Sequence, residues 1–201
     1  ITKPFVAVAI MMLVDEGKLQ LDDLVEKHIP EFKGQKVTIW KTVKFKKTKK
    51  TKMIRNGLKP TKHPLTIRNL LTHLDGLPKN PPRSRAIKTI KERVLKAAKD
   101  PLMWEPGSKW KYGGEGLNVA AYLVEKYSGM PYSKFLKTRI LGPLGMKSTY
   151  FTIKDVPKNR AVWGHGKLRN GKWEARERRD FTGSTGGHYF AVDGGFFSTV
   201  E

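Results

Sequence analysis

The chain of 201 residues contains no cysteine. This absence excludes disulfide bridges, thiolate metal sites and cysteine nucleophiles, so any chemistry must come from oxygen and nitrogen groups. The five histidines lack the paired spacing of a metal site, and "GSTGG" (183–187) lacks the lysine and following helix of a phosphate loop. The longest apolar run, 5–14, is shorter than the roughly 20 residues of a membrane span. The sequence therefore predicts no cofactor, no metal and no membrane span.

Acidic residues are scarce: 18 Asp and Glu stand against 40 Lys and Arg, for a formal charge of +22. More than half of the excess lies in residues 33–63, which carry eleven lysines, one arginine and no acid. Apolar and basic residues alternate there ("VTIWKTVKFKK"), which is typical of an exposed β-hairpin. Such charge also suits phosphate binding, but no recognition helix, zinc pattern or RNA-binding aromatic motif accompanies it. We interpret the segment as a solvated basic hairpin and expect no nucleic-acid partner.

Helical signals recur along the first three quarters of the chain. The segments are 4–16, 64–78, 84–99 and 117–128. The first begins with a proline, continues as an apolar run and ends at a glycine, which predicts a helix buried on nearly all sides. A signal-peptide core is the rival interpretation, but acids follow the run and no small-residue cleavage site does. From about residue 150, glycines, aromatics and charges mix without a helical period, which predicts strands and loops.

The two ends of the chain carry unfinished structure. "STVE" (198–201) has the Ser-x-x-Glu spacing of a capping box, which predicts that a helix begins at the last residues of the sequence. The first residue directly precedes the predicted buried helix. We therefore expect both ends to be cuts within a longer protein.

Lys3 is the first candidate for chemistry. A lysine at the mouth of a buried helix loses hydration, which favours a neutral amine able to take a proton. The competing interpretation is a lysine that extends to solvent from a helix terminus.

Tyr112 is the second candidate. It lies between "PGSKWK" and "GGEG", in the loop 100–116 that we call the tyrosine loop. Glycines there would let a ligand come close, and two neighbouring lysines would favour the ionised phenol. The alternative is a tyrosine that packs with Trp104 and Trp110. His73, at the end of its helix, is expected to be a cap or a core hydrogen-bonding residue.

Several segments, taken in order, resemble one family. They are "TKPFVAVAIMMLVDEGKLQLDDLVEKHIPEF", "LTIRNLLTHLDGLP", "WEPGSKWKYGGEGLNVAAYLVEKYSGMPYSKFLKTRILGPLGMKSTYF" and "GGFFSTVE". They resemble the serine beta-lactamase-related family, which includes class C beta-lactamases, D-alanyl-D-alanine carboxypeptidases and related esterases. The resemblance covers nearly the whole chain.

The resemblance assigns roles to the two candidates. The family's Ser-x-x-Lys motif maps onto "ITK", so Lys3 is the lysine and the nucleophilic serine lies immediately ahead of Ile1. Tyr-x-Asn maps onto Tyr112 and Gly114, so the proton-transferring tyrosine is retained and the substrate-binding asparagine is not. Glu115 or Asn118 is a candidate to compensate for it.

The family's third motif, Lys-Thr-Gly or His-x-Gly, is expected beyond Glu201. "GHG" at 164–166 has the wrong spacing, because His-x-Gly would need a glycine at position 167. One backbone donor of the oxyanion hole would be missing with it.

The resemblance also implies a fold and a function. The expected fold is α+β and beta-lactamase/transpeptidase-like: an antiparallel sheet flanked by helices, beside a mainly helical region. The chain would be a partial domain over 1–201, with 33–63 as a basic insertion, 64–149 as the helical region, and sheet strands missing from both ends.

The implied function is a serine hydrolase that acts through an acyl-enzyme on a beta-lactam, a D-Ala-D-Ala peptide or an ester. These 201 residues would be inactive by themselves, and the family favours a periplasmic or secreted location. The alternative is a non-catalytic binding protein on the same fold that holds polyanions through 33–63.

Overall fold

The computed structural model describes residues 2–44, 51–78, 87–161, 164–168, 170–176 and 192–199. The helices are α1 (Thr2–Asp15), α2 (Val25–His28), α3 (Ile67–Leu71), α4 (Ile90–Ala97), α5 (Glu115–Ser128) and α6 (Tyr132–Leu136), with a π-helical turn at Lys137–Leu141. Short 3-10 turns occupy Pro30–Phe32, Ile153–Asp155 and Lys158–Arg160. The strands are β1 (Lys36–Lys44), β2 (Thr51–Pro60), β3 (Gly164–Lys167) and β4 (Trp173–Arg176). Among these described helices, none is long and apolar enough to cross a membrane.

Helix α5 lies at the centre of the helical part and packs against α1, α3, α4 and α6. Its small residues Ala120 and Ala121 are fully buried, so neighbouring helices can approach closely. The apolar residues of α1 that recur at helical spacing form its buried face: Val6, Ala9, Ile10 and Leu13.

The prediction that α1 is buried on nearly all sides is wrong for the described chain. Val8 and Met11 are 46% and 41% exposed. The reason is geometric, because only one face of α1 packs on α5, and these two residues point away from it.

Local capping signals set the starts of α3 and α4. Thr66 accepts a hydrogen bond from the Asn69 N–H, and Asn69 accepts one from the Thr66 N–H, which completes a capping box. Helix α4 begins at Ile90, later than the predicted 84, because Thr89 is its N-cap and accepts from the Glu92 N–H at 3.0 Å. Residues 79–86 lie outside the described residues.

Strands β1 and β2 pair as an antiparallel hairpin with an irregularity between Ile39 and Trp40. All of β2 is exposed except the half-buried Lys59. One end of β1 is anchored to the start of the tyrosine loop, since Thr38 N–H donates to the Leu102 carbonyl and Trp40 Nε1 donates to that of Met103, both at 2.8 Å. The described parts of the basic segment therefore form a largely exposed hairpin, as the alternating sequence predicts.

The last described segments are strands and loops. The "GHG" sequence forms part of β3, which pairs with β4. The segment 192–199 returns to the body, where Phe197 pairs with Tyr150. "GSTGG" lies outside the described residues, as do two of the four residues of the predicted helix start at 198–201.

Candidate active site

The tyrosine loop is held by the segment 73–76, which follows α3. Three main-chain hydrogen bonds join them: from Lys111 N–H to the His73 carbonyl (2.9 Å), from Gly107 to Leu74 (2.8 Å) and from Met103 to Gly76 (2.7 Å). Gly76 has a φ of +70°, and a Cβ there would lie 3.2 Å from the carbonyl carbon of Trp104. Both the left-handed backbone and the close approach require glycine. The position of Tyr112 is therefore set by backbone contacts.

His73 ends α3 with a left-handed backbone, φ +59°. The Leu74 N–H donates to the Asn69 carbonyl at 3.0 Å, which is the long bond of a Schellman cap. The predicted cap role is thus confirmed for the backbone. The predicted side-chain hydrogen bond is not found, because Nδ1 is buried without a hydrogen-bond partner among the described residues. The ring instead packs 4.9 Å from that of Tyr112, and burial, together with the charge of Lys3, lowers the pKa of His73.

The head of α1 meets the segment 192–199. Thr2 Oγ1 accepts a hydrogen bond from the Phe196 N–H at 3.1 Å. Lys3 is half-buried, and its Nζ donates to the main-chain carbonyl of Asp193. Lys3 therefore does not extend freely into solvent.

Lys3 and Tyr112 meet although they are far apart in the sequence. Lys3 Nζ lies over the Tyr112 ring, 4.8 Å from its centroid, and Tyr112 is 50% exposed. Lys109, which is closer in sequence, lies instead over the ring of Trp104 at 4.6 Å. The structure thus brings the two predicted catalytic residues to one partly open site.

Gly114 is the N-cap of α5, and its φ of −109° and ψ of −12° suit most residue types. Its surroundings are what require glycine. A Cβ would lie 2.5 Å from Asp193 Cγ and 2.8 Å from its Cβ, with Oδ2 nearer still. The carboxylate of Asp193 thus fills the space beside position 114.

The suggestion that Glu115 or Asn118 compensates for the missing asparagine is wrong. Both side chains are 2% exposed. Glu115 Oε2 pairs with Arg93 Nη2 at 2.7 Å, and Asn118 Nδ2 donates to the Gly114 carbonyl at 2.9 Å. Each side chain is thus buried and bonded at the start of α5.

Asp75 and Glu115 are two buried carboxylates in or next to the tyrosine loop. Asp75 Oδ1 accepts from the Leu77 N–H at 2.7 Å, and a Cβ on Gly116 would lie 2.5 Å from its Oδ2. Burial, with the charge of Glu115, raises the pKa of Asp75 to about 6. Burial also raises the pKa of Glu115, against the effect of Arg93. Neither Asp75 nor Asp193 was predicted from the sequence. Asp75 lies within "LTIRNLLTHLDGLP" and Asp193 directly precedes "GGFFSTVE", two of the segments that carry the family resemblance.

Comparison with known proteins identifies a family and several relatives. The family model described as "Beta-lactamase" matches residues 1–201. A curated relative from Salmonella agona, named a D-alanyl-D-alanine carboxypeptidase, is 29% identical over 180 residues, which are 81% of this chain and 36% of the relative. The chain thus spans about a third of the length of the curated relatives that it matches.

Solved structures resemble the chain along nearly all of its length. The octameric penicillin-binding protein homologue from Pyrococcus abyssi is 28% identical, with a TM-score of 0.66 over 99% of this chain and 41% of that one. Simvastatin synthase (LovD) from Aspergillus terreus, at 22% identity, has a TM-score of 0.69 over 98% of this chain and 49% of that one. The expected α+β, beta-lactamase/transpeptidase-like fold is confirmed.

Proposed function

This chain belongs to the beta-lactamase family, and from that premise we propose that the whole protein is a serine hydrolase that acts through an acyl-enzyme. The observation that carries the proposal is the meeting of Lys3 and Tyr112, with Lys3 Nζ 4.8 Å from the ring centroid. The substrate is an acyl compound: a beta-lactam, a D-Ala-D-Ala peptide or an ester.

The proposed nucleophile is a serine immediately ahead of Ile1. Residues three apart on a helix are neighbours on its surface, so this serine would lie beside Lys3. In the proposed step Lys3 Nζ takes the hydroxyl proton while the serine oxygen attacks the acyl carbon. The leaving group departs with a proton passed through Tyr112, and a water then hydrolyses the ester and regenerates the serine.

The surroundings of Tyr112 support this role. Half of the residue is exposed, so a substrate can reach it, while three main-chain bonds fix its loop. The ring packs against His73, whose uncharged form is favoured by its lowered pKa. Lys3 is thus not faced by a second full positive charge from the imidazole.

The test is covalent trapping on the full-length protein. Fluorophosphonate, penicillin and p-nitrophenyl ester probes should acylate the serine, as read by mass spectrometry of the intact protein and of its peptides. Lys3→Met and Tyr112→Phe should each slow acylation or turnover by about 10²- to 10⁴-fold. Lys109→Met is the matched control, since Lys109 lies over Trp104. Failure of every probe to form an adduct with the wild type would refute the proposal.

A companion proposal is that the 201 residues alone are inactive, because the serine and the third motif lie outside them. A purified 1–201 segment should neither label nor turn over esters. Turnover by that segment would contradict the assignment of the nucleophile.

A second candidate function is polyanion binding by a non-catalytic protein on this fold. The basic side chains of the described hairpin residues are mostly exposed, and the one ion pair found among them joins Lys59 to Glu105 at 3.0 Å. A heparin affinity that falls as the salt concentration rises would support this function. The double variant Lys41→Gln/Lys44→Gln should also bind heparin more weakly than a Lys147→Gln control. A residue other than serine ahead of Ile1 would favour this candidate over the hydrolase.

A further inference from the structure

The side chain of Asp193 occupies the place that a side chain at position 114 would need. The three atoms nearest to a Cβ built on Gly114 all belong to Asp193: Oδ2, Cγ and Cβ. The main-chain carbonyl of the same residue accepts the hydrogen bond from Lys3 Nζ. Asp193 is therefore in contact with the proposed base and with the position where the family's usual asparagine is missing.

The charge of Asp193 is not neutralised by an ion pair within the described chain. The neighbouring acid, Glu115, is buried and paired with Arg93. No ion pair joins a described basic residue to the Asp193 carboxylate, and Lys3 contacts its main-chain oxygen instead. Asp193 is half-buried, so part of the residue is open to solvent.

The replacement of an amide by a carboxylate changes what the site can bind. An amide both donates and accepts hydrogen bonds, whereas an ionised carboxylate only accepts. Asp193 therefore cannot donate to a substrate carbonyl, and it repels an anionic group at the same place. It suits an ammonium group, because hydrogen bonds to charged groups are stronger than neutral ones.

We infer that Asp193 is a specificity-determining residue that binds a protonated amine next to the scissile carbonyl, so that the enzyme prefers acyl donors with a free α-amino group over N-acylated or anionic ones. The inference rests on the proposed hydrolase function. It narrows the substrate class to amino-acid esters, amides and peptides with a free amino terminus. The other possible role for this carboxylate is to influence the charge of Lys3, and that role would affect all substrates equally.

The experiment compares matched substrates on the full-length protein. D-alanine p-nitroanilide and N-acetyl-D-alanine p-nitroanilide differ in the amine alone, and kcat/KM is measured for both. The wild type should prefer the free amine by about tenfold or more, since a hydrogen bond to a charged group is worth at least that factor. Asp193→Asn and Asp193→Ser should each reduce this ratio about tenfold. Asp155→Asn, an exposed acid on a 3-10 turn, is the control and should keep the wild-type ratio.

The outcomes separate the two proposals. A wild type that labels with fluorophosphonate but shows equal kcat/KM for both substrates would overturn the inference and leave the hydrolase standing. Asp193 variants that reduce kcat/KM for both substrates by the same factor would show that Asp193 acts through Lys3, and this result would also overturn the inference. A wild type that does not label at all would overturn both. Thermal unfolding of the two Asp193 variants shows which of them is folded, and the ratio is taken from that one.

Discussion

Gly114→Ala tests the close approach of the Asp193 side chain to position 114. The backbone at 114 lies at φ −109° and ψ −12°, so alanine is not excluded by conformation. The added Cβ would lie 2.5 Å from Asp193 Cγ, well inside van der Waals contact. Forcing one extra carbon into such a place costs about 1–3 kcal/mol, and the poorer N-cap adds up to about 1 kcal/mol. We expect the variant to be destabilised by about 1–4 kcal/mol in total.

A double-mutant cycle isolates the steric part. Asp193→Gly removes the three atoms that would lie nearest to the new Cβ, whereas the cap cost of alanine is the same in both backgrounds. Gly114→Ala should therefore cost about 1–3 kcal/mol less when Asp193 is glycine, a coupling that only residues in contact show. Gly113→Ala is the matched control, because a Cβ there would meet the Lys111 carbonyl at an ordinary 3.7 Å.

The free energy of unfolding of the full-length protein, measured in urea, is the readout for all the variants, with the slope of the transition checked for constancy. Equal destabilisation by Gly114→Ala in both backgrounds would refute the contact between Gly114 and Asp193. A Gly113→Ala variant as unstable as Gly114→Ala would show that the loop backbone, and not Asp193, requires glycine.

Two further predictions concern the buried charges. The pKa of Asp75 is raised from 3.8 to about 6, so between these values the folded state holds a proton that the unfolded state releases, and stability falls as the pH rises. Asp75→Asn should remove this loss, about 2.4 kcal/mol between pH 4 and 7, and parallel stability curves for the wild type and the variant would contradict it. Arg93→Met should lower the free energy of unfolding by about 3–5 kcal/mol because it leaves Glu115 buried and unpaired. Arg68→Met, which removes an exposed ion pair, should lower it much less. A similar loss in both variants would refute the distinction between the two pairs.

Local elements of this fold are predictable because their signals are local. Thr66 directly precedes the apolar residues of α3, so its role as the N-cap is predicted from the local sequence, whereas the reciprocal bond from Asn69 is seen only in the structure. The apolar period of α5 likewise predicts a helix within two residues of its observed start. The prediction of full burial for α1 is wrong for the described chain because an apolar run does not show which of its faces meets a neighbour. Val8 is apolar and exposed for that reason.

The site depends on contacts that no local pattern contains. Lys3 and Tyr112 could be paired from sequence only through family resemblance, since composition and spacing do not place α1 against the tyrosine loop. Asp193 could not be found at all, because its role depends on the return of segment 192–199 to the head of α1. The only signal in the sequence is the glycine at position 114, where the family has asparagine. It shows that a side chain is missing there, but not that Asp193 occupies the space.

The start of α5 explains how acids can collect around a site that also holds Lys3. The first N–H groups of a helix carry partial positive charge, which stabilises carboxylates near them. Glu115 is the first residue of α5, and Asp193 lies against its N-cap, Gly114. Arg93 neutralises Glu115, whereas the helix terminus offers Asp193 a favourable potential without occupying its oxygens. Asp193 thus lies at a helix N-terminus without an ion pair to a described basic residue, which is the arrangement that the inferred recognition of a substrate amine requires.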